Sequence, residues 1–275
     1  MNIIEQNLIG KHSAEDCEDG IVITEDFVAV IDGSTSKSQR RWRPDMKNGR
    51  WAMILISDIL HRLPADTTLD DFCDQATTLI HKQYHFAEQV TPDIPPQYRI
   101  CASAVIYSQW WHEVWMIGDC QCMIDGQLYE NGKPHEERLA RQRAAVFEES
   151  YHRYPDMIED GELVHDYARD EIIPNLIKAI QEENITYAVI DGYTIYKKGV
   201  KVINIKNRVT EIVLASDGYP FLKPTLKDSE LALGVQMQRD PYNVKTFLAT
   251  KGKMRGNLSF DDRAYVRFSS DQYYD

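Results

Sequence analysis

The sequence predicts one α+β domain, and three observations carry that prediction. Short runs rich in Val and Ile, bounded by Asp or Gly, recur along the chain and read as strands. Two pairs of stretches with apolar residues at helical spacing are interleaved with them. No internal repeat, low-complexity tract or linker divides the 275 residues, so 1–275 reads as one unit, long enough for a sizeable core.

The first strands lie in Glu18–Gly33. Glu18-Asp19 precedes one apolar run, and a second run, Phe27–Ile31, ends in Asp32-Gly33. A hairpin turning near Glu25-Asp26 would bring Asp19 and Asp32 together. Two carboxylates held close repel unless a proton or cation sits between them. The hairpin contains nothing basic, so a divalent cation is one reading; solvated acids at strand ends are the other.

Residues 34–50 read as a polar loop with Lys37, Arg40, Arg41 and Arg43. It is either a solvated surface or an anion-recognition loop, since Arg suits phosphate by bidentate contact. A helix follows, with Ala52, Leu55, Ile56, Ile59, Leu60 and Leu63 on one face and Pro64 to end it. The second helix carries Leu69, Phe72, Cys73, Ala76, Leu79 and Ile80, and Thr68 with Asp71 resembles a capping box. His81 and His85 are one turn apart, but no third ligand accompanies them, so they read as helix-surface residues.

Residues 88–98, with three prolines, read as a loop. Strands are then expected at Ile100–Tyr107, Val114–Ile117, Cys120–Ile124 and Gln127–Tyr129, with Asp125-Gly126 as a tight turn. Residues 134–154 and Asp166–Glu183 read as the second helical pair. Strands return at Tyr187–Ile190, Thr194–Lys197, Val200–Ile205 and Glu211–Ala215, and a helical or loop region reaches Lys251. The last strand is Ala264–Phe268, just after Asp261-Asp262.

Composition excludes several classes. A net charge of -12 argues against a general nucleic-acid binder, which needs a basic footprint. No apolar run approaches transmembrane length, and the N-terminus shows no secretory pattern, so a cytoplasmic protein without a membrane partner is expected. Five cysteines form no Cys-x-x-Cys pair, and Cys101, Cys120 and Cys122 read as buried, reduced thiols.

Acids end several apolar strands: Asp19, Asp32, Asp119, Asp217 and Asp261. No Ser-His-Asp elbow, Walker-type loop or His-Glu-x-x-His appears. An all-oxygen acidic cluster selects Mg²⁺ or Mn²⁺ rather than zinc. Two such ions about 4 Å apart activate water and clamp a phosphoryl group.

These ordered motifs resemble the metal-dependent protein phosphatases of the 2C type. Glu18-Asp19, Asp32-Gly33, the run Ala102–Ile106 with Trp115-Met-Ile-Gly-Asp119, Ala215-Ser-Asp-Gly218 and Asp261-Asp262 each look like one of that family's motifs, spread over nearly the whole chain. The resemblance implies a sandwich of two antiparallel β-sheets flanked by α-helices, with metals in a cleft at one end. It implies that Asp32 bridges two ions, that Gly33 offers a carbonyl, and that Asp217 and Asp261 complete the second ion. Asp119 would serve a third, looser ion, and Glu18 and Asp19 would hold water near the metals. Asp125 and Asp191 match no motif and read as turns. There are departures. Position 14 is Ala where the family usually carries a phosphate-gripping Arg, with Lys11 and His12 nearby. Ser34 follows Asp32-Gly33, Asp262 stands for Asn, Ala264 stands for Thr, and residues 133–185 do not match the family's middle segment. Glu15-Asp16 also offers a second acidic pair upstream.

The expected function is therefore Mg²⁺- or Mn²⁺-dependent hydrolysis of a phosphomonoester, in a phosphoprotein or a small molecule, by in-line attack of a metal-bridging hydroxide. Lys37 or Arg40, with Arg40 favoured, would replace the missing phosphate contact. Two alternatives stand beside it: a catalytically weak module that recognises a phosphoprotein, and a metal-free hydrolase with paired carboxylates.

Overall fold

The apolar run Phe27–Ile31 is buried on both faces, which puts its strand in the middle of a layered fold. The structure is a computed structural model, and it describes residues 1–85, 93–206 and 209–271. In chain order the elements are β1 (Asn2–Ile9), β2 (Asp19–Ile23), β3 (Phe27–Gly33), α1 (Asn48–Leu60), α2 (Leu69–His85), β4 (Ala102–Ser108), β5 (Glu113–Ile117), β6 (Gln121–Ile124), β7 (Gln127–Tyr129), α3 (Glu136–Arg153), β8 (Ile158–Glu159), β9 (Glu162–Leu163), α4 (Tyr167–Ile180), β10 (Lys201–Asn204), β11 (Val209–Ala215), α5 (Leu226–Arg239) and β12 (Arg263–Asp271). Two antiparallel sheets stack, one ordered β1-β12-β11-β6-β7 and the other β10-β5-β4-β3-β2; β8 and β9 form a small hairpin apart.

Alternation along the strands sorts the side chains into two cores. Val28 and Val30 of β3, Val105 and Tyr107 of β4, and Val114 and Met116 of β5 face the other sheet. There they meet Ile212, Leu214, Val266 and Phe268. The opposite residues of the same strands, among them Phe27, Ile31, Ile106 and Trp115, pack under α1 and α2. Trp115 is fully buried, with Phe27 and Phe72 rings at 6.2 and 6.4 Å. Outside the other sheet, Val213, Ala215 and Tyr265 lie beneath Tyr219, Leu222 and Leu226 at the entry to α5. The layers are those of an α+β sandwich.

Local signals account for most boundaries. Thr68 Oγ1 accepts from the Asp71 amide at 3.2 Å and donates to its carboxylate at 2.7 Å, a working capping box for α2. Asp166 caps α4 by accepting from the Arg169 amide at 3.0 Å. His81 is half-buried, with its ring against Tyr84 and Tyr193 and Nδ1 3.0 Å from the Gly192 carbonyl; the side chain of His85 lies outside the described residues. The first part of the proline-rich loop, up to residue 92, lies outside them too. All five cysteines are buried and unpaired. Among the described residues, no helix is long and apolar enough to cross a membrane.

Three differences from the sequence reading are informative. The N-terminal residues form β1, an edge strand pairing with β12, although every second residue of it is exposed. The hairpin β8–β9 also went unanticipated. Tyr187–Ile190 and Thr194–Lys197 are not ladder strands. Their contact with β4 is a single bridge, Ala102 to Ile190. The chain instead wraps the buried carboxylate of Asp191, which accepts from Arg99 Nη1 at 2.7 Å, Asn184 Nδ2 at 2.8 Å and the Tyr193 amide at 3.0 Å.

Helices α3 and α4 pack on each other through Leu139, Ile172, Leu176 and Ala179. Arg143 of α3 is fully buried. Its Nε donates to Asp166 at 2.9 Å, and its Nη1 donates to the carbonyls of Tyr242 and Ala249 at 2.9 and 3.1 Å. One guanidinium thus joins α3, the start of α4 and the loop after α5. Removing it takes the cation from a buried carboxylate and the donor from several carbonyls, which costs about 3–5 kcal/mol. Arg143→Ala should lower the urea midpoint by that equivalent, while an exposed control such as Arg141→Ala stays within about 0.5 kcal/mol of the parent.

Candidate metal centre

The register of the second sheet builds the first part of the site. Asp19 stands directly across from Asp32, and Asp32 across from Ser103. Gly33 ends β3 where only a hydrogen fits: a Cβ there would strike the backbone of Gly49 and the Glu18 carbonyl. That contact brings the N-terminal turn of α1 against the end of the hairpin. Ser103 Oγ donates to Asp119 Oδ1 at 2.5 Å, which ties the β5–β6 turn to β4.

The other sheet supplies the remaining acids. Ser216 Oγ accepts from the Ala264 amide at 2.9 Å and holds the end of β11 beside β12. Gly218 lets the two turns touch, since a Cβ there would collide with the Asp262 carbonyl. Asp262 is not a free acid. Its Oδ1 accepts from the Lys11 amide at 2.7 Å and its Oδ2 from the Glu18 amide at 3.2 Å.

One cleft, about 110 Å³ in volume, is lined by Asp32, Gly33, Asp119, Asp217 and Asp261. Asp19 lies beside them, close enough that Asp261, Asp262 and Asp217 act on its carboxyl. Burial first, then these neighbouring charges, holds the carboxyl of Asp19 well above the ordinary range, although a hydrogen bond from Ser216 pulls the other way. Asp32 is raised by burial and by Asp19, Asp119 and Asp261; Asp217 by burial and by Asp32, Asp261 and Asp119. Asp119 and Asp261 go the other way. Burial opposes it, but Lys133 lowers Asp119, and Lys251 with Lys11 lowers Asp261. Lys133 Nζ is 2.7 Å from Asp119 and Lys11 Nζ 3.2 Å from Asp261, with Lys251 also paired to Asp261.

The donor set fits hard divalent cations. It is all oxygen, it is crowded with like charge, and Glu18 Oε1 and Asp19 Oδ2 are buried without a hydrogen-bond partner. Asp119, Glu136 and Asp217 each present an oxygen within 4.8 Å of the others. Glu136 had no signal in the sequence, because it opens a helix and ends no strand. Asp16 lies on the surface near Lys47, at 3.8 Å, while Glu18 and Asp19 are buried, and the charges of Asp217 and Asp261 act on Asp19. Glu18 accepts from Thr35 Oγ1 at 2.6 Å.

The cations differ from expectation. Lys37 lines the cleft, with its Nζ donating to the Thr35 carbonyl at 2.6 Å. Arg40 does not line it. Its guanidinium stacks on the Trp42 ring at 4.2 Å, and its carbonyl is held by Asn48 Nδ2 at 2.9 Å, so the loop turns this residue away. Arg43 stacks on Trp51 and pairs with Asp45. The other cleft cations are Lys133, Arg169 and Lys251, each isolated in the sequence from any motif. Burial and the surrounding Arg169, Lys251 and Lys133 lower Lys37 to about 7.

Glu183 lines the same cleft. Burial and the charge of Asp191 raise its carboxyl from 4.5 to about 8, against the opposing pull of Lys133, Lys37 and Arg99. Between those values the folded chain keeps a proton that the unfolded chain releases, so stability falls as pH rises through the window. The urea midpoint of the parent should therefore drop more between pH 5 and 8 than that of Glu183→Gln. Parallel profiles for the two would show that Glu183 does not titrate in this window.

No protein-family model and no curated protein sequence matches the chain. Solved structures do resemble it at low identity. The serine/threonine phosphatase PstP/Ppp of Mycobacterium tuberculosis is 12% identical, with a TM-score of 0.47, over 99% of this chain and all of that one. The PPM Ser-Thr phosphatase MsPP of Mycobacterium smegmatis is 14% identical, also at 0.47, over 99% of this chain and all of that one. PppA of Pseudomonas aeruginosa, described as a regulatory component of its T6SS, is 12% identical at 0.47 over 96% of each chain.

Proposed function

We propose that the chain acts as one domain, 1–275, that hydrolyses phosphomonoesters with Mg²⁺ or Mn²⁺, on phosphoserine or phosphothreonine in a protein or on a small phosphoester. The observation that carries this reading is the convergence of Asp32, Asp119, Asp217 and Asp261 in one cleft, beside Asp19 and Glu18 with unpartnered oxygens. Asp32, the Gly33 carbonyl, Asp217 and Asp261 would hold two ions, with Asp119 and Glu136 available to a third. When bound, the ions would supply an activated water and neutralise charge on the phosphoryl oxygens.

The chain's own residues do the rest. Lys37, Lys133, Arg169 and Lys251 ring the acids and can receive a phosphate dianion, the task that Ala14 leaves open. Thr35 orients Glu18, and Ser103 orients Asp119, so both carboxylates have fixed directions. Leu176 and Ile180 of α4 close one wall and limit water. No membrane or nucleic-acid role is included in this reading, and a cytoplasmic location accords with it.

A second reading has its own observation. Lys133 on Asp119 and Lys251 on Asp261 already compensate two of the acids, as expected of a module that binds a phosphorylated partner without turning it over. Calorimetric titration with Mn²⁺ separates the two. The hydrolase reading expects Mn²⁺ to bind, Asp32→Asn and Asp217→Asn each to weaken it at least tenfold, and aryl phosphate hydrolysis to stop in chelator. Absence of Mn²⁺ binding up to millimolar concentration, with phosphopeptide binding retained, would establish the module instead.

The cations carry a separate expectation. Lys37→Met should raise KM for an aryl phosphate several-fold with little change in Mn²⁺ affinity, whereas Arg40→Ala should leave KM near the parent value. Steady-state kinetics at saturating Mn²⁺ check both.

A further inference from the structure

The metal reading does not use every residue that lines the cleft. The cleft is also lined by Leu176, Ile180, Glu183, Tyr187 and His135, all from the segment that follows β7. Glu183 is only 8% exposed, and its Oε2 has no hydrogen-bond partner. Tyr187 is 6% exposed, and its hydroxyl has none either. An unmet buried polar atom is destabilising, so two of them on residues that line one cleft mark a place where a ligand's polar groups are met. The His135 ring lies 5.2 Å from that of Tyr187, and Leu176 and Ile180 add an apolar part to the lining.

We propose that Glu183 and Tyr187 form a subsite for the alcohol portion of the phosphoester, and that this subsite selects an alcohol with an N–H donor close to its ester oxygen. The proposal rests on the phosphoesterase reading, and it names the substrate class of that site. The acids, the lysines, Glu183 and Tyr187 line one cleft, and the charges of Lys133 and Lys37 act on Glu183. A phosphate held among Lys37, Lys133 and Lys251 would bring its ester substituent near Glu183, since Lys133 and Lys37 both act on that carboxyl. There an N–H can donate to the carboxyl oxygen, and the tyrosine hydroxyl can donate to a neighbouring carbonyl. A phosphoseryl residue in a peptide presents both groups, and free phosphoethanolamine presents the N–H alone. Phenyl phosphate presents neither.

The test uses the full-length chain with Mn²⁺ and measures Kd by calorimetry for a short phosphoserine peptide, phosphoethanolamine and phenyl phosphate, in the parent and in Glu183→Leu and Tyr187→Phe. Thermal melting identifies any variant that fails to fold, and Tyr187→Phe, which loses one oxygen, stands if Glu183→Leu does not. In the parent, the donor-bearing esters should bind at least tenfold more tightly than phenyl phosphate. In each folded variant that ratio should fall by about tenfold. Loss of the ratio for the peptide alone assigns the subsite to a peptide substrate; loss for phosphoethanolamine as well assigns it to the N–H itself. Equal weakening of all three esters, or no change in any, overturns the subsite and leaves the phosphoesterase reading intact. A parent that binds Mn²⁺ but none of the esters overturns both.

Discussion

Asp32 stands across the ladder from Asp19, and this pairing of two carboxylates in a buried hairpin is what the rest of the site answers to. In water such a pair would cost little. Here desolvation raises both, and each further acid that the fold brings near raises them again. The protein relieves part of this with lysines, placing Lys133 on Asp119 and Lys11 and Lys251 on Asp261. Lys133 pulls only weakly against the charges that raise Asp32, and Asp19 keeps one oxygen unmet. Charge is therefore unevenly compensated, which is a condition for attracting a divalent cation.

The two sheets are both required for that concentration of charge. The inner face of each is apolar, and the stacked Val, Ile, Tyr and Phe side chains fix how the strand ends line up. Gly33 and Gly218 then allow backbones to approach at the shared end, one beside α1 and one beside the Asp261-Asp262 turn. A methyl group at either point would push an acid away from the others. The core thus does more than stabilise: it sets the spacing of groups that would otherwise repel.

The segment from Lys133 to Tyr187 gives the cleft its particular walls. It contributes two cations, Lys133 and Arg169, together with Glu136, Glu183 and an apolar side from α4. Arg143 anchors the same segment to the loop that carries Lys251, so the wall and the cation on Asp261 are mechanically joined. The character of the cleft depends on this packing as much as on the strand-end acids.

The acids were legible in the sequence because each ends a short apolar run, and such a run dictates a strand whose end reaches the rim of a sheet. Asp19 opposite Asp32 followed from hairpin geometry alone. The edge strand β1 was not legible, since its exposed alternate residues give it little apolar signal. Residues 187–197 misled in the other direction: their apolar side chains are buried, but their backbone serves Asp191 rather than a ladder. Arg40 was the densest guess from loop composition, yet stacking on Trp42 decided its direction. By itself, then, the sequence determined the strand-end acids and the α+β alternation of strands and helices, because both follow from periodicity along the chain, while the sandwich was implied by the resemblance of the ordered motifs. Only the tertiary structure decided which cations enter the cleft and that Glu136, Glu183 and Tyr187 join them, because those side chains sit on helices and loops whose facing is set by packing between distant segments.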